Sequence, residues 1–177
     1  LAAGELCFCI GMSEPNSGSD LASIETNADK VDGGWRVNGT KLWTSFAHKA
    51  HYMIALVRTE PKGENRHAGM SQFLIDLTLP GIEIRPIKNL AGREDFNEVV
   101  FRDCIVPEDM MVGKEGNGWS QVTSEPGYER SGPERFLNTF KLLREVARVI
   151  GPDPTDAQAE SLGRIVAHLI TLRQLSL

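Results

Sequence analysis

Residues 11–23 read GMSEPNSGSDLAS and follow directly on the apolar run LCFCI of residues 6–10. The stretch combines Pro15, which fixes φ, with Gly18, which permits a positive φ, and with small polar side chains that can hydrogen-bond to the local backbone. This composition predicts an ordered turn after a short strand. Turns of this kind are common and most bind no ligand, so the stretch by itself does not assign a function.

The overall composition is that of an ordinary globular chain. It has 177 residues, 41% of them hydrophobic and 24% charged, with a net charge of −5. Lysine and arginine are scattered, which argues against a nucleic-acid partner, and no apolar run approaches the roughly 20 residues of a membrane span. The three cysteines cannot form a fully paired set of disulfides, so a cytoplasmic location is predicted. The sequence starts at Leu1 and ends inside an apolar segment, and we therefore expect a fragment of a longer protein.

Residues 1 to about 113 carry short apolar or alternating runs separated by turn residues, which predicts β-strands. Trp35 and Val37 alternate into Asn38-Gly39, a dipeptide typical of two-residue hairpins, and we expect a turn there. Short strands with turns between them predict a small antiparallel barrel or sandwich. The other predicted strands are LCFCIGM, HYMIALVRT, SQFLIDL, GIEIRPI and NEVVFRDCIV.

From about residue 117 the apolar spacing changes to that of helices. The motif GPDP at residues 151–154 should end the first long helix, and Thr155 with Gln158 forms a capping box for the next one. Two such helices cannot bury both apolar faces by themselves, so they need further helices or a partner subunit. The predicted stripes are Phe136, Leu137, Phe140, Leu143, Ala147 and Ile150, and then Leu162, Ile165, Val166, Leu169 and Ile170.

Glu129 is the carboxylate that we single out as a candidate catalytic residue, and two interpretations of its position are open. On a continuous helix it would share an apolar stripe with Phe136, where a desolvated carboxylate can serve as a general base. Alternatively, Ser131 and Glu134 form a capping box with Pro133 in the first turn. The helix would then start near residue 131, and Glu129 would be a loop carboxylate. Capping and propensity favour this second interpretation.

Other candidate chemistry is sparse. His48 and His51 lie three residues apart, but no acidic or sulfur ligand falls at a matching spacing, so no metal site is predicted. Trp43, Thr44 and Ser45 end a strand, and an aromatic ring beside two hydroxyls suits a flat polar ligand, although such a tryptophan is more often part of a core. The sequence contains no G-x-G-x-x-G motif, no Walker loop and no nucleophile elbow.

The loop of residues 11–23 closely resembles the first signature of the acyl-CoA dehydrogenase family. That signature is a small residue, an aliphatic residue, Ser or Thr, Glu, two variable positions, a small residue, Gly, Ser or Thr, and Asp, and every constrained position is filled. The resemblance continues through GGWRVNGTKLWTSFAHKAHYMIALVRT at residues 33–59 and GIEIRPIKNLAGREDFNEVVFRDCIVPEDMMVGKEGNGW at residues 81–119. It covers most of residues 7–150.

The resemblance implies a fold of the α+β class. Residues 1–115 would form an antiparallel β-barrel or sandwich, the middle domain of the family. Residues 116–177 would form the start of a truncated α-helical bundle, and the helical domain that precedes the middle domain in the family would be missing.

The resemblance also implies FAD as the cofactor and assigns residues to it. Met12 and Ser13 would contact the isoalloxazine ring, Trp43 would flank it, and Ser45 would donate a hydrogen bond to its edge. Ser19 would lie along the path of the acyl-CoA. Small residues in the turn would let the backbone approach a planar cofactor closely.

The implied reaction is α,β-dehydrogenation of an acyl-CoA thioester. A carboxylate removes the α-proton, and the β-hydrogen leaves as hydride to flavin N5. Most of the family has that carboxylate late in the bundle, but isovaleryl-CoA dehydrogenase and its long-chain relatives have it just before an arginine on the first long bundle helix, as in YERSG at residues 128–132. The resemblance therefore reverses the preference above and predicts Glu129 as the base, with Arg130 as a substrate-side or structural partner. Pro126-Gly127 departs from the unbroken apolar helix expected there.

Partners follow from the same resemblance. Electrons would pass to an electron-transfer flavoprotein, and the enzyme would be a homo- or hetero-oligomer. Two alternatives stay open: an acyl-CoA oxidase with the same site, and a non-catalytic subunit or scaffold of a heteromeric complex. We expect the isolated 177-residue chain to bind flavin weakly and to be inactive.

Overall fold

The computed structural model describes residues 2–176, apart from the side chains of Tyr128, Glu129 and Ser131. The strands are β1 Phe8–Gly11, β2 Asn27–Val31, β3 Gly34–Ser45, β4 Tyr52–Arg58, β5 Met70–Asp76, β6 Ile82–Ile87, β7 Phe96–Pro107 and β8 Met111–Val112. They form one sheet in the order β6-β7-β3-β2-β4-β5-β8, with β1 paired to β4. Most neighbours are antiparallel, but β1 lies parallel to β4.

The predicted α+β class is confirmed. Each of the five apolar runs named above overlaps a strand, namely β1, β4, β5, β6 and β7. In the part of the chain that the structure describes, the end strands β6 and β8 do not pair with each other. The sheet is therefore open rather than closed into a barrel, and of the two predicted forms a sandwich describes it better.

The core of the sheet follows from the alternation of apolar side chains. Val37 of β3, Phe73 of β5 and Val99 of β7 are fully buried, and the ring of Trp35 packs edge-on against Phe73 with centroids 5.6 Å apart. Burial of such side chains stabilises the fold by about 1.5–3 kcal/mol each. The buried cluster is Cys9, Ala28, Trp35, Val37, Ala47, Met53, Ala55, Val57, Phe73, Ile75, Val99, Phe101, Cys104 and Val106.

The hairpin does not lie where the sequence predicts it. β2 and β3 pair antiparallel on either side of Asp32-Gly33, with Gly33 at φ 80°. Asn38 and Gly39 instead lie inside β3, which pairs with β2 on one side and β7 on the other. The prediction was wrong because both dipeptides are turn signals, and only pairing with β7 selects between them.

The helices are α1 Gly118–Ser131, α2 Glu134–Leu137, α3 Phe140–Ile150 and α4 Asp156–Leu175. Helix α1 continues through Pro126 and includes the backbone of Glu129. The interpretation in which the helix starts near residue 131 and Glu129 lies in a loop is therefore wrong. The alternative interpretation, one continuous helix from Glu129 to Phe136, is wrong as well, because the helix is interrupted at Gly132 and α2 begins after Pro133.

The ends of the last two helices are as predicted. Helix α3 stops at Ile150, where Gly151 takes φ 79°, and Thr155 with Gln158 forms the capping box of α4. The predicted apolar stripes are present but partly open, since Phe140 is 42% and Ile170 58% exposed. Among the described residues, none of the helices has the length and apolar character needed to cross a membrane.

Two units divide the chain, Leu1–Gln121 with the strands and Val122–Leu177 with most of the helical residues. The domain boundary between residues 115 and 116 stays a prediction.

Candidate functional site

The turn that follows β1 is ordered by its own hydrogen bonds. The backbone N–H of Glu14 donates to the carbonyl of Ser17 at 2.7 Å, and the N–H of Ser17 donates back at 3.1 Å. The Ser17 hydroxyl, nearly buried, donates to the carbonyl of Asp20 at 2.8 Å. The ordered turn predicted from Pro15 and its polar neighbours is confirmed.

The same turn is fastened to strand β3. The N–H of Leu42 donates to the carbonyl of Ser13 at 2.8 Å, and Nζ of Lys41 donates to the carbonyl of Met12 at 3.2 Å. Both contacts fall immediately before Trp43 in the sequence. The half-buried residues Met12 and Ser13 therefore lie beside the end of the strand that carries Trp43 and Ser45.

A buried ion pair stands at the centre of this junction. Nζ of Lys41, whose side chain is 0% exposed, lies 2.8 Å from Oε1 of Glu14, whose side chain is 6% exposed. The Glu14 carboxylate also accepts from the N–H of Glu25 at 2.6 Å and of Thr26 at 3.1 Å.

The electrostatics of Glu14 reflect these contacts. Burial raises its pKa, but the charge of Lys41 and the donors around the carboxylate together hold the pKa of Glu14 below its ordinary value of 4.5. Arg58 is a second buried cation at this junction. Burial lowers the pKa of its guanidinium, and the nearby charge of Glu14 offsets only part of that effect. Arg58 donates to the carbonyls of Ala22 and Ile24, so it fixes the far end of the same turn.

Strand β3 is irregular where it presents Trp43. The register with β7 shifts between Lys41 and Thr44, and Trp43 takes φ 61°. A left-handed backbone is uncommon for a residue with a side chain and persists only where its neighbours hold it. Here it leaves the indole 57% exposed, in edge-on contact with Phe96 at 6.2 Å between ring centroids.

Asn97 of β7 holds this irregular segment. Its side chain is fully buried, and Nδ2 donates to the carbonyl of Thr44 at 3.0 Å. Its Oδ1 lies 3.0 Å from Nδ1 of His48, so the amide bridges the strand end and the short helix Ala47–Lys49.

Two hydroxyls near the strand end, those of half-buried Ser13 and exposed Ser45, are accessible, whereas that of Thr44 is buried. Within the described residues, the hydroxyls of Ser13 and Ser45 make no hydrogen bond, and Oγ1 of Thr44 is buried without a partner. An exposed aromatic ring beside free hydroxyls suits a flat, polar, aromatic ligand. An open groove of about 600 Å³ adjoins the indole and is lined by Trp43, Ile87, Lys88, Asn89, Leu90, Ala91 and Phe96.

Ser19 lies at the exposed outer edge of the turn. The next residue, Asp20, accepts a hydrogen bond from Arg66, whose guanidinium also contacts the hydroxyl of Ser23 at 3.1 Å. Hydrogen bonds from Arg66 and then Ser23 lower the pKa of Asp20. The edge of the turn at Ser19 is thus anchored to the loop that carries Arg66.

The two helical candidates belong to the second unit. Glu129 lies in α1 by its backbone, and its side chain falls outside the described residues. Arg130 is exposed and lines a cavity of about 330 Å³ with Phe136 and Leu172. The predicted roles of both residues stay predictions.

Sequence reasoning missed the residues that hold the site in place. Lys41, Glu14 and Asn97 are buried, whereas side chains of these three residue types are usually exposed to solvent, so residue type alone gave no reason to place them inside. A signal was present for Lys41, because it continues the inward-facing alternation of Trp35 and Val37 along β3.

The cysteines are unpaired. Cys7 is exposed, whereas burial raises the pKa of both Cys9 and Cys104 to about 11. No group of three or more His, Cys, Asp or Glu side chains is placed to hold a metal ion within the described part of the chain.

Comparison with known proteins finds relatives that are named acyl-CoA dehydrogenases. The family model "Acyl-CoA dehydrogenase, middle domain" matches residues 9–104. Among curated proteins of Mycobacterium tuberculosis, acyl-CoA dehydrogenase FadE34 is 41% identical over 92% of this chain, and acyl-CoA dehydrogenase IpdE1 is 46% identical over 81% of it. The chain spans only 23% and 37% of the length of these two relatives.

A solved structure agrees with the family match. The ChsE4-ChsE5 complex from M. tuberculosis has a chain that superposes with a TM-score of 0.70 at 33% identity, covering 99% of this chain and 47% of that one. The match spans the sheet and the following helices, and the family model includes both the turn after β1 and the strand end at Trp43. The chain therefore belongs to the acyl-CoA dehydrogenase family.

Proposed function

We propose that this chain supplies the flavin-contacting domain and the catalytic base of an FAD-dependent acyl-CoA dehydrogenase. The observation that carries the proposal is the fastening of residues 12–14, inside the complete family signature, to the strand end that presents Trp43 and Ser45. The residue types fit the flavin, since the exposed indole of Trp43 borders an open groove and the hydroxyls of Ser13 and Ser45 belong to the turn and the strand end that are fastened together. When bound, FAD would accept the β-hydrogen of the acyl chain as hydride at N5.

The residues of the turn and of β3 would bind and orient. Met12 and Ser13 would lie against one part of the ring, with the Ser13 hydroxyl and N–H as donors. Trp43 would pack along the ring and exclude water from it, and the hydroxyl of Ser45 would donate to its edge. Ser19, at the exposed rim, would line the path of the acyl-CoA.

Glu129 would take the α-proton of the thioester. As that proton moves to the carboxylate, the β-hydrogen departs with its electron pair, and a carbon–carbon double bond forms between the α and β carbons. Arg130, the next residue on α1, would act on the substrate side of the base or hold it in place. The backbone of Glu129 within a helix supports this assignment, because a helical base is held more rigidly than one in a loop.

The proposal extends to the whole protein that contains these residues. Its substrate would be an acyl-CoA, its electron acceptor an electron-transfer flavoprotein and its location the cytoplasm. It would be a homo- or hetero-oligomer, in which further helices cover the apolar stripes of α3 and α4.

The test uses the complete gene product that contains this chain, with Glu129→Gln and, as matched control, Glu125→Gln one helical turn earlier on α1. Acyl-CoAs of different chain length and branching are mixed anaerobically with the FAD-loaded proteins, and bleaching of the flavin band is followed by stopped flow. We expect bleaching in the wild type and the control, and a rate lower by about 10²–10⁴ in Glu129→Gln, the usual contribution of a general base.

Bleaching at the wild-type rate in Glu129→Gln would move the base elsewhere in the protein. A wild-type protein that fails to take up added FAD would contradict the proposed function itself.

A second candidate function rests on the similarity to the ChsE4-ChsE5 complex, which has two named components. The chain would then be the non-catalytic subunit of a heteromeric assembly. Co-expression with neighbouring family members and measurement of flavin per subunit would decide between them, because a scaffold subunit would carry no flavin contacts of its own.

A further inference from the structure

The Lys41–Glu14 ion pair is the one buried charge pair in the described residues, and the binding contacts proposed above do not use it. Taking two such charges out of water costs several kcal/mol per ion, and apolar replacements of similar volume are often as stable. A contribution to folding stability therefore does not by itself explain why a lysine is fully buried at this position.

The bonds of the pair join the turn to β3 and to the segment that leads into β2. Lys41, on β3, binds the Glu14 carboxylate at 2.8 Å and the Met12 carbonyl at 3.2 Å, while Glu14 accepts from the N–H groups of Glu25 and Thr26. The pair thus fixes the turn against the strand from inside, and the Leu42–Ser13 backbone bond closes the junction beside it.

The position of the pair relative to the proposed flavin contacts gives it a role. Glu14 follows Met12 and Ser13 directly, and Lys41 precedes Trp43 by two residues and Ser45 by four. A shift of the turn against the strand would change the separation between these contacts. Errors of ~1 Å in such placement can cost about 10²-fold in function.

We propose that Lys41 and Glu14 are positioning residues that set the separation between the turn and the strand end, and thereby the geometry of the flavin site. The inference rests on the proposed function, since it assigns these residues to a site that binds FAD. The Lys41 side chain is 0% exposed and that of Glu14 only 6%, so both would act through Met12, Ser13 and Trp43.

Three variants distinguish an effect on the geometry of the flavin site from an effect on the stability of the fold. Glu14→Asp keeps the charge but withdraws the carboxylate by one methylene group. Lys41→Met combined with Glu14→Gln removes both charges of the pair at nearly constant volume, so neither partner is left as a lone buried charge. Lys30→Met is the matched control, because Lys30 forms an ion pair with Glu108 in which both side chains are more than half exposed.

Each variant of the complete gene product is stripped of flavin and titrated with FAD, and the visible circular dichroism of the bound flavin and the urea midpoint are recorded. We expect roughly tenfold weaker FAD binding and an altered flavin dichroism in Glu14→Asp and in the double variant, with Lys30→Met unchanged. We expect the urea midpoint of the double variant to stay near that of the wild type.

The proposal is overturned if Glu14→Asp and the double variant bind FAD as tightly as the wild type with the same dichroism, since the pair would then serve folding only. It is also overturned if FAD affinity falls only in proportion to the loss of stability. A wild-type protein that binds no FAD refutes the proposed function and this inference with it, and the wild-type titration alone distinguishes that case.

Discussion

Gly39 is the position at which the fold should be most sensitive to a single methyl group. It lies inside β3 at φ 142°, in a region that residues with side chains rarely adopt. A Cβ on Gly39 would stand 2.5 Å from Oγ1 of Thr26, 2.6 Å from its Cα and 2.7 Å from its Cβ. Two of these atoms lie on or next to the backbone of the segment that leads into β2, so a rotamer change cannot relieve the clash.

The expected cost of Gly39→Ala follows from these two effects. Backbone strain of this kind costs about 1–3 kcal/mol, and overpacking a tight contact costs about 1–3 kcal/mol more. We expect a loss of about 3 kcal/mol, which corresponds to a urea midpoint lower by roughly 1.5 M at a slope of about 2 kcal/mol per molar. Because Thr26 also donates to Glu14, its displacement should loosen the turn that carries Ser13.

The assay is urea unfolding of the 177-residue chain followed by tryptophan fluorescence, in which buried Trp35 reports on the sheet. Gly63→Ala is the matched control, because a Cβ there would meet nothing within 4 Å and its φ is not positive. The control should stay within about 0.5 kcal/mol of the wild type. Equal midpoints for Gly39→Ala and Gly63→Ala would show that neither backbone strain nor the contact with Thr26 restricts this position.

Three further predictions concern burial, acid stability and helix capping. In the native chain a thiol reagent should modify Cys7 rapidly and Cys9 and Cys104 slowly, because burial raises the pKa of the latter two to about 11. The interactions that lower the pKa of Glu14 should stabilise the fold above pH 4.5, and this stabilisation should be lost as the pH falls through the lower folded-state pKa, a dependence that Glu14→Gln should weaken in acid unfolding curves. Thr155→Ala should cost about 1 kcal/mol in the stability of α4, measured as lower helical circular dichroism at intermediate urea.

Each of these predictions has a contradicting result. Equal modification rates for the three native thiols would show that Cys9 and Cys104 are not buried as described. Identical acid unfolding of the wild type and Glu14→Gln would remove the electrostatic account of the ion pair. An unchanged α4 in Thr155→Ala would mean that the capping box contributes nothing measurable.

The strands and the turn after β1 were predictable because their signals are local. Apolar runs bounded by turn residues give β4, β5 and β7, and Thr155 with Gln158 gives the start of α4 without any tertiary information. The choice between Asp32-Gly33 and Asn38-Gly39 as the hairpin was not local. It depends on β7, more than 50 residues further along the chain, which pairs along β3 past Gly39 and keeps that strand extended.

The site was predictable only in part, for a similar reason. The residues proposed to touch the flavin stand in the signature itself, whereas those that hold them in place act through long-range contacts. Lys41 and Glu14 are 27 positions apart, and Asn97 reaches the Thr44 carbonyl across 53 positions. The helical position of Glu129 was missed by capping rules, because Pro133 follows the end of α1 and the predicted Ser131 cap is not the start of a helix.

The most direct test of the central claim is an anaerobic titration of the FAD-loaded complete gene product with acyl-CoA, in which flavin reduction and the 2,3-enoyl-CoA product are measured in the same sample. We expect one enoyl-CoA to form for each flavin reduced, and the absorbance of oxidised flavin to return when an oxidised electron-transfer flavoprotein is added. A flavin that stays oxidised with every acyl-CoA tried, or that is reduced without formation of an enoyl-CoA, would contradict that claim.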